Sequence, residues 1–354
     1  MKLLIVCQTI DSEHQNLGFF VRWVAEFAKH CSHITVIANS VGVFSLPDNV
    51  TVHSLGKENG TPRLRRYMRF FALIWKLRAE YDAVFVHMIV EYILAAGLFW
   101  RVFGKRILLW YVHGTVSWRL RLALLLSHGA CTTNSASFRV KSSKVHAVGH
   151  GIDTEFFKPI EHMRSEGAPS EHEEYHIISH GRLSRAKRIE VVVDTVSMLK
   201  KEFGMKARLT IVGGPITDDD LAYTAWLHKK CEFLSWVSIV GPKNQLYVRD
   251  ALQTADIMLN ASMTGSVDKA VLEAMATGTL VVTSNEAFRG MLASFGLFST
   301  KTDAPHLALV AHKALIDEHI ASTRESLRAV IVKEHALPVC VERIMSHLHT
   351  PSYA

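Results

Sequence analysis

Residues 255–283 read ADIMLNASMTGSVDKAVLEAMATGTLVVT, and the alternation within this stretch decides the fold. Residues 257–259 are a short apolar run, and 260–266 are small and polar, as a loop requires. From Asp268 onward Val271, Leu272 and Met275 recur at helical spacing among the helix formers Ala270, Ala274 and Ala276. Ser266 or Asp268 is suited to cap the start, and Gly278 to take the left-handed turn at the end. Residues 280–282 then make the next buried strand. The stretch is a βαβ unit whose loop feeds a helix N-terminus, a place that holds anions. Glu273 falls in the second turn of that helix. A carboxylate there can accept two hydrogen bonds from a diol such as a ribose; the plainer alternative is a solvated helix carboxylate.

Working outward, the same alternation runs through the chain. Residues 3–6 form a strand, 8–18 a polar loop, 19–29 a helix and 34–38 a second strand, which implies a doubly wound parallel sheet. Gly18, where the loop meets the helix, lets backbone approach a ligand, although turns need glycine anyway. The strand at 83–86 ends on His87, and the one at 106–112 ends on His113-Gly114. A histidine at the carboxyl end of a parallel strand points into the crevice where such sheets bind ligands. The argument is stronger for His113 than for His87. After a last strand and turn at 144–159, residues 161–174 are polar and charge-rich and read as a linker. A second series of strands follows at 176–179, 208–212, 237–240, 256–259 and 280–283. The chain therefore reads as two α/β domains, 1–165 and 166–334, facing across a cleft, with a closing helical segment at 335–354.

The first strand of the second series leads into His180-Gly181-Arg182-Leu183-Ser184-Arg185-Ala186-Lys187-Arg188. If this loop folds back, Arg182 and Lys187 converge beside a helix N-terminus, and a guanidinium with an ammonium there makes a diphosphate site. The alternative is a solvated basic turn. The run Asp218-Asp219-Asp220 is better suited to capping a helix than to holding a metal.

Composition narrows the partners. The 354 residues are 49% hydrophobic and 21% charged, which is globular rather than disordered. A formal net charge of +7 favours an anionic partner. The five cysteines are widely spaced, without a metal-binding or disulfide pattern, and read as core thiols. The opening MKLLIVCQTI is a first strand rather than a signal peptide, and no apolar run reaches membrane-spanning length. Residues 62–82, PRLRRYMRFFALIWKLRAEYD, form a basic helix with aromatic and aliphatic positions. Such a helix lies on an anionic bilayer, or else packs on the sheet with its basic side solvated. Membrane contact is favoured, because the basic residues crowd the helix start next to aromatics. Residues 118–127 extend that surface. RNA- and DNA-binding motifs are missing.

These residues carry a family resemblance. Gly181-Arg182-Leu183 with Lys187 resembles the phosphate-binding arginine and lysine of retaining GT-B glycosyltransferases of the family 4, group 1 type. Val212-Gly213-Gly214-Pro215 and Val240-Gly241-Pro242 resemble that family's strand-end glycine segments. Leu272-Glu273-Ala274-Met275-Ala276-Thr277-Gly278 is similar to its ribose-binding helix, and Val112-His113-Gly114 to its active-site histidine. The resemblance implies two Rossmann-like domains and a transfer of a sugar from a nucleotide-diphosphate sugar, with retention, to a glycan or lipid-linked acceptor. It implies that His113, Arg182 and Lys187 act in catalysis. Gly181, Gly213, Gly241, Ser266, Asp268, Lys269 and Glu273 would join Arg182 and Lys187 around the donor, and Gly18 and His87 would line the acceptor side. No cofactor and no metal are implied. The expected location is cytoplasmic, peripheral on the inner face of the cytoplasmic membrane. One departure stands out: the family's second carboxylate falls at Gly265. Either Asp268 substitutes for it, or the donor sugar is held differently. Two other readings stay open: a nucleotide-sugar hydrolase or epimerase of the same fold, and a non-catalytic basic module that binds membranes or polyanions.

Overall fold

The computed structural model describes residues 1–160 and 174–349; all of the expected linker but Glu174 lies outside the described residues. The chain divides into two units, Met1–Gly151 joined by the segment from His335, and Ile152–Glu334.

The first unit runs β1 (Lys2–Ile10), α1 (Phe19–Ala28), β2 (His33–Val41), β3 (Val50–Ser54), α2 (Arg63–Lys76), β4 (Ala83–His87), α3 (Val90–Val102), β5 (Arg106–Trp110), α4 (Trp118–Leu126), β6 (Gly129–Thr132) and β7 (Val145–Ala147). Its sheet has the order β3-β2-β1-β4-β5-β6-β7, with every pairing parallel. Leu3, Leu4, Ile5 and Val6 are all fully buried, because a parallel strand covered on both faces must be apolar on both. β5 stops at Trp110, short of the expected residue 112. Trp110 pairs with His87, the last residue of β4; Met88 N–H still donates to Trp110 O at 2.8 Å, but Val112 N–H turns to the Met88 sulfur at 3.2 Å instead of a backbone carbonyl.

The second unit runs β8 (Tyr175–His180), α5 (Ile189–Lys201), β9 (Ala207–Val212), α6 (Asp218–Cys231), β10 (Val237–Gly241), α7 (Gln245–Thr254), β11 (Ile257–Asn260), α8 (Lys269–Ala276), β12 (Leu280–Thr283), α9 (Arg289–Leu292), α10 (Ala304–Leu315) and α11 (Ile320–Glu334). Its parallel sheet has the order β10-β9-β8-β11-β12. The opening stretch thus becomes β11-loop-α8-β12, and Gly278 closes α8 with φ +70°. The last helix, α12 (Leu337–His349), belongs to the first unit, where Leu337, Cys340, Val341 and Ile344 join the core beneath α1.

All five cysteines are buried and unpaired. Among the described residues, no helix is long and apolar enough to cross a membrane.

Candidate active site

In the second unit the chain winds outward from β8 in both directions, through β9 to β10 and through β11 to β12. The crevice outside the carboxyl ends of β8 and β11 is therefore the topological switch point, where open α/β sheets hold ligands. The candidate donor residues Gly181 to Lys187 and Ser266 to Glu273 lie in the loops that leave these two strands or on the helix that follows.

Gly181, Gly213 and Gly241 close β8, β9 and β10 with φ of +133°, +146° and +74°. Their backbones are stitched together: Gly181 N–H donates to Val212 O and Gly213 N–H to Gly241 O, each at 2.9 Å. A Cβ at 213 would lie 1.8 Å from the Gly181 carbonyl oxygen, so glycine there is a packing requirement.

Arg182 leaves this edge toward α6. Its Nε donates to Asp220 Oδ2 at 2.6 Å and its Nη2 to Thr217 Oγ1 at 3.2 Å. Thr217 is the N-cap of α6, and Asp220 completes a capping box. The acidic run therefore caps its helix, and its last member also anchors a cation. Burial alone would raise the Asp220 carboxyl. Arg182 and the N–H groups of Ile216 and Thr217 outweigh that and hold it at about 2.

Lys187 ends a short turn that is followed by Arg188 in the left-handed region, φ +49°, a strained conformation for a non-glycine residue. Lys187 Nζ bonds Asp268 Oδ1 at 2.5 Å, and Asn260 Nδ2 donates to Asp268 Oδ2 at 3.1 Å. Asp268 does sit at the N-cap of α8, but its carboxylate makes no bond to the helix amides. It turns to Lys187 instead. Ser266 does not cap either: its hydroxyl reaches Thr264 Oγ1 at 3.4 Å, and its carbonyl accepts from Asn285 Nδ2 at 2.9 Å.

Glu273 is 3% exposed, which removes the solvated-carboxylate alternative. Its Oε2 lies 3.0 Å from His180 Nε2, while Oε1 meets Lys269 Nζ and accepts from Gln245 Nε2 at 3.3 Å. Burial would raise this carboxyl. The Lys269 ammonium and the His180 bond outweigh it and bring it to about 2, so it is ionised at neutral pH. Lys269 Nζ also stands 5.8 Å from the centre of the Phe157 ring. In this structure Lys269 serves Glu273 rather than standing open for a phosphate.

The three candidate donor cations are each matched: Arg182 with Asp220, Lys187 with Asp268, Lys269 with Glu273. His180 links the start of the basic loop to Glu273, so the two halves of the site are one network. An incoming diphosphate is chemically an alternative partner for Arg182 and Lys187. Sequence reasoning did not assign roles to His180, Gln245 and Asn260. His180 precedes a glycine at a strand end, the same signal that drew attention to His113. Gln245 and Asn260 gave no signal.

The first unit holds the remaining candidates. His113 is exposed in the loop after β5, and its Nδ1 accepts from Thr115 N–H at 3.0 Å. At Gly18 a Cβ would lie 2.6 Å from Ser12 O and 2.9 Å from His14 O, so the loop packs against the glycine on that side. His87 is corrected. It is 4% exposed, its ring 4.2 Å from Phe20 and about 6 Å from Phe19 and Trp23, centre to centre. Burial and the neighbouring His150 push it down to about 3, so it is a neutral core ring rather than an acceptor contact.

Residues 174–316 match the family described as Glycosyl transferases group 1. No curated protein sequence matches the chain. Solved structures match it over nearly its whole length. Alr3699/HepE of Anabaena, in complex with UDP and glucose, is 15% identical, with 99% of this chain and all of that one covered and a TM-score of 0.76. Sucrose-phosphate synthase of Thermosynechococcus elongatus is 16% identical over 98% of both chains, TM-score 0.75. A UDP-forming α,α-trehalose-phosphate synthase of Burkholderia xenovorans is 14% identical over 99% of both, TM-score 0.69. The fold is that of the GT-B glycosyltransferases, two Rossmann-like α/β units.

Proposed function

We propose that this chain, a glycosyltransferase by the group 1 domain it carries, moves a sugar with retention from a nucleotide-diphosphate sugar to a glycan or lipid-linked acceptor at the cytoplasmic face of a membrane. One observation carries the reading: the Arg182–Asp220, Lys187–Asp268 and His180–Glu273 contacts gathered at the switch point of the second sheet. Arg182 and Lys187 hold the donor diphosphate and stabilise the charge that grows on it as the glycosidic bond breaks, the preorganised electrostatics that lowers such barriers. Glu273, ionised and fixed by Lys269 and His180, accepts hydrogen bonds from the ribose hydroxyls. Gly181, Gly213 and Gly241 keep the strand ends bare of side chains so that the nucleotide reaches the backbone. Asp268 takes the place of the carboxylate absent at Gly265 and meets the donor sugar, with Ser266 and Lys269 beside it. His113 contacts the transferred sugar. UDP is the favoured nucleotide, because a similar structure binds UDP-glucose.

The membrane part of the reading rests on α2 and α3. Leu64, Met68, Phe71 and Trp75 recur on one side of α2, with exposures from 44% to 76%. Trp75 continues the patch to Phe99 of α3 and to Phe103 just past its end, at ring separations of 6.1 and 6.0 Å. Arg65, Arg69 and Lys76 flank the stripe, a pattern that suits an anionic bilayer. Soluble, anionic vesicles and a panel of nucleotide-sugars supply the test. Label should move to acceptor lipid with its anomeric configuration kept, Lys187→Ala should abolish transfer, and EDTA should leave the rate unchanged. Sugar release that is equal with and without acceptor would instead mark a hydrolase.

A further inference from the structure

A cavity of about 550 Å³ lies at the carboxyl ends of β11 and β12, wholly within the second unit. That volume falls in the range of small-molecule sites, about 300–1,000 Å³. Its wall comes from three places along one edge: Arg188 at the start of α5, Ser262 and Gly265 in the loop after β11, and Lys301 in the segment before α10. It adjoins the donor residues, since Arg188 follows Lys187 and Gly265 precedes Ser266. Gly265 has φ +62°, so the loop turns there and adds no side chain to the wall. This is the position at which the resembled family carries its second carboxylate.

Two carboxylates also line the cavity, and both are engaged elsewhere. Glu286 accepts from Arg289 Nε at 2.9 Å and from its Nη2 at 3.0 Å. Asp303 Oδ1 accepts from His306 N–H at 3.0 Å, as the N-cap of α10. Arg188 Nε stands 3.8 Å from Glu190, and its Nη1 donates to Thr302 O at 2.8 Å, which ties the guanidinium to the segment that carries Lys301. Lys301 is exposed and forms no ion pair among the described residues. The uncommitted charge on this wall is therefore positive.

In the function proposed above, the nucleotide lies over the glycine ends of β9 and β10, and the diphosphate meets Lys187 beside β8 and β11. The donor sugar then falls on the side of β11 and β12. We propose that this sugar is acidic, a hexuronic acid whose carboxylate enters the cavity and pairs with Lys301, with Arg188 beside it. The inference deepens the donor half of that function and rests on it. A carboxylate at position 265 would repel an acidic sugar; Gly265 removes the repulsion and leaves the space. A neutral hexose would make no use of Lys301.

UDP-glucuronic acid, UDP-glucose and UDP, titrated calorimetrically into the full chain, separate the contributions. UDP-glucuronic acid should bind about tenfold more tightly than UDP-glucose. Lys301→Ala should bring the two sugars level, and Lys301→Arg should keep most of the preference. Gly265→Asp, which restores a carboxylate in a residue type that visits the left-handed region, should turn the preference toward UDP-glucose. UDP should bind the wild type and all three variants alike, which establishes that they fold and keep the nucleotide site. Equal binding of the two sugars by the wild type, or a preference that survives Lys301→Ala, would overturn the acidic sugar, while the binding of UDP would leave the donor reading standing. Failure of UDP to bind the wild type would remove the donor reading and this proposal with it.

Discussion

At the scale of single residues, the donor edge is a set of cations already satisfied by carboxylates, and that sets the energetics of binding. Lys187 must exchange Asp268 for a diphosphate, so the 2.5 Å contact opposes binding as well as ordering the site. Asp268→Asn keeps the bond from Asn260 and removes the competing charge. It should tighten UDP severalfold by calorimetry, since one charge-assisted contact contributes roughly 1.5–3 kcal/mol. Glu273 makes a prediction about pH. Its carboxyl is depressed from 4.5 to about 2, so the stability it contributes is present above pH 4.5 and lost as pH falls toward 2. A difference of this size corresponds to about 3 kcal/mol at neutral pH. Urea denaturation should find Glu273→Gln markedly less stable than wild type at pH 7 and nearly equal to it at pH 2.5. Arg182, Lys187 and Glu273 were legible as candidates because charges beside strand-end glycines are visible in a linear sequence. Their partners were not: Asp220, Asp268 and His180 are reached across 38, 81 and 93 residues, and only the sheet order brings them close.

At the scale of elements, the sequence was read correctly where burial forces a continuous apolar run, as in β11 and the start of β1, and less well where an element ends: β1 runs on to Ile10, through residues expected in the loop. The end of β5 depends on where β4 runs out, which no local pattern records. His87 was misread for a related reason. A histidine at a strand end looks the same in the sequence whether the space beside it is left for a ligand or filled by the protein's own rings. α2 met both of its alternatives at once. Phe70 and Ile74 pack inward while Leu64, Met68, Phe71 and Trp75 face solvent. Because the outer residues are only about half buried, a Phe71→Ser, Trp75→Ser variant should stay folded, losing on the order of 1–2 kcal/mol per site. It should nevertheless lose most of its cosedimentation with anionic vesicles, whereas equal cosedimentation would remove α2 from the membrane surface.

At the scale of the whole molecule, two parallel sheets each present a carboxyl edge, and the chemistry divides between them: cations matched by carboxylates on the second, a basic helix with an apolar stripe on the first. The first unit also carries an acid sensitivity. His87 is buried neutral, with its value lowered from 6.5 to about 3, so unfolding binds a proton whenever the pH lies between those limits. Stability from this group is full above pH 6.5 and falls by about 2 kcal/mol at pH 5. His87→Leu should flatten the fall in melting temperature between pH 7 and pH 5. The central claim is narrower than any of this: Lys187 and Glu273 belong to one nucleotide-diphosphate site. Calorimetric titration of UDP into wild type, Lys187→Ala and Glu273→Ala, each confirmed folded by circular dichroism, tests it most directly. Saturable binding to the wild type, weakened about tenfold or more in both variants, is the predicted result. UDP binding that is undiminished in either variant, or absent from the wild type, would contradict it.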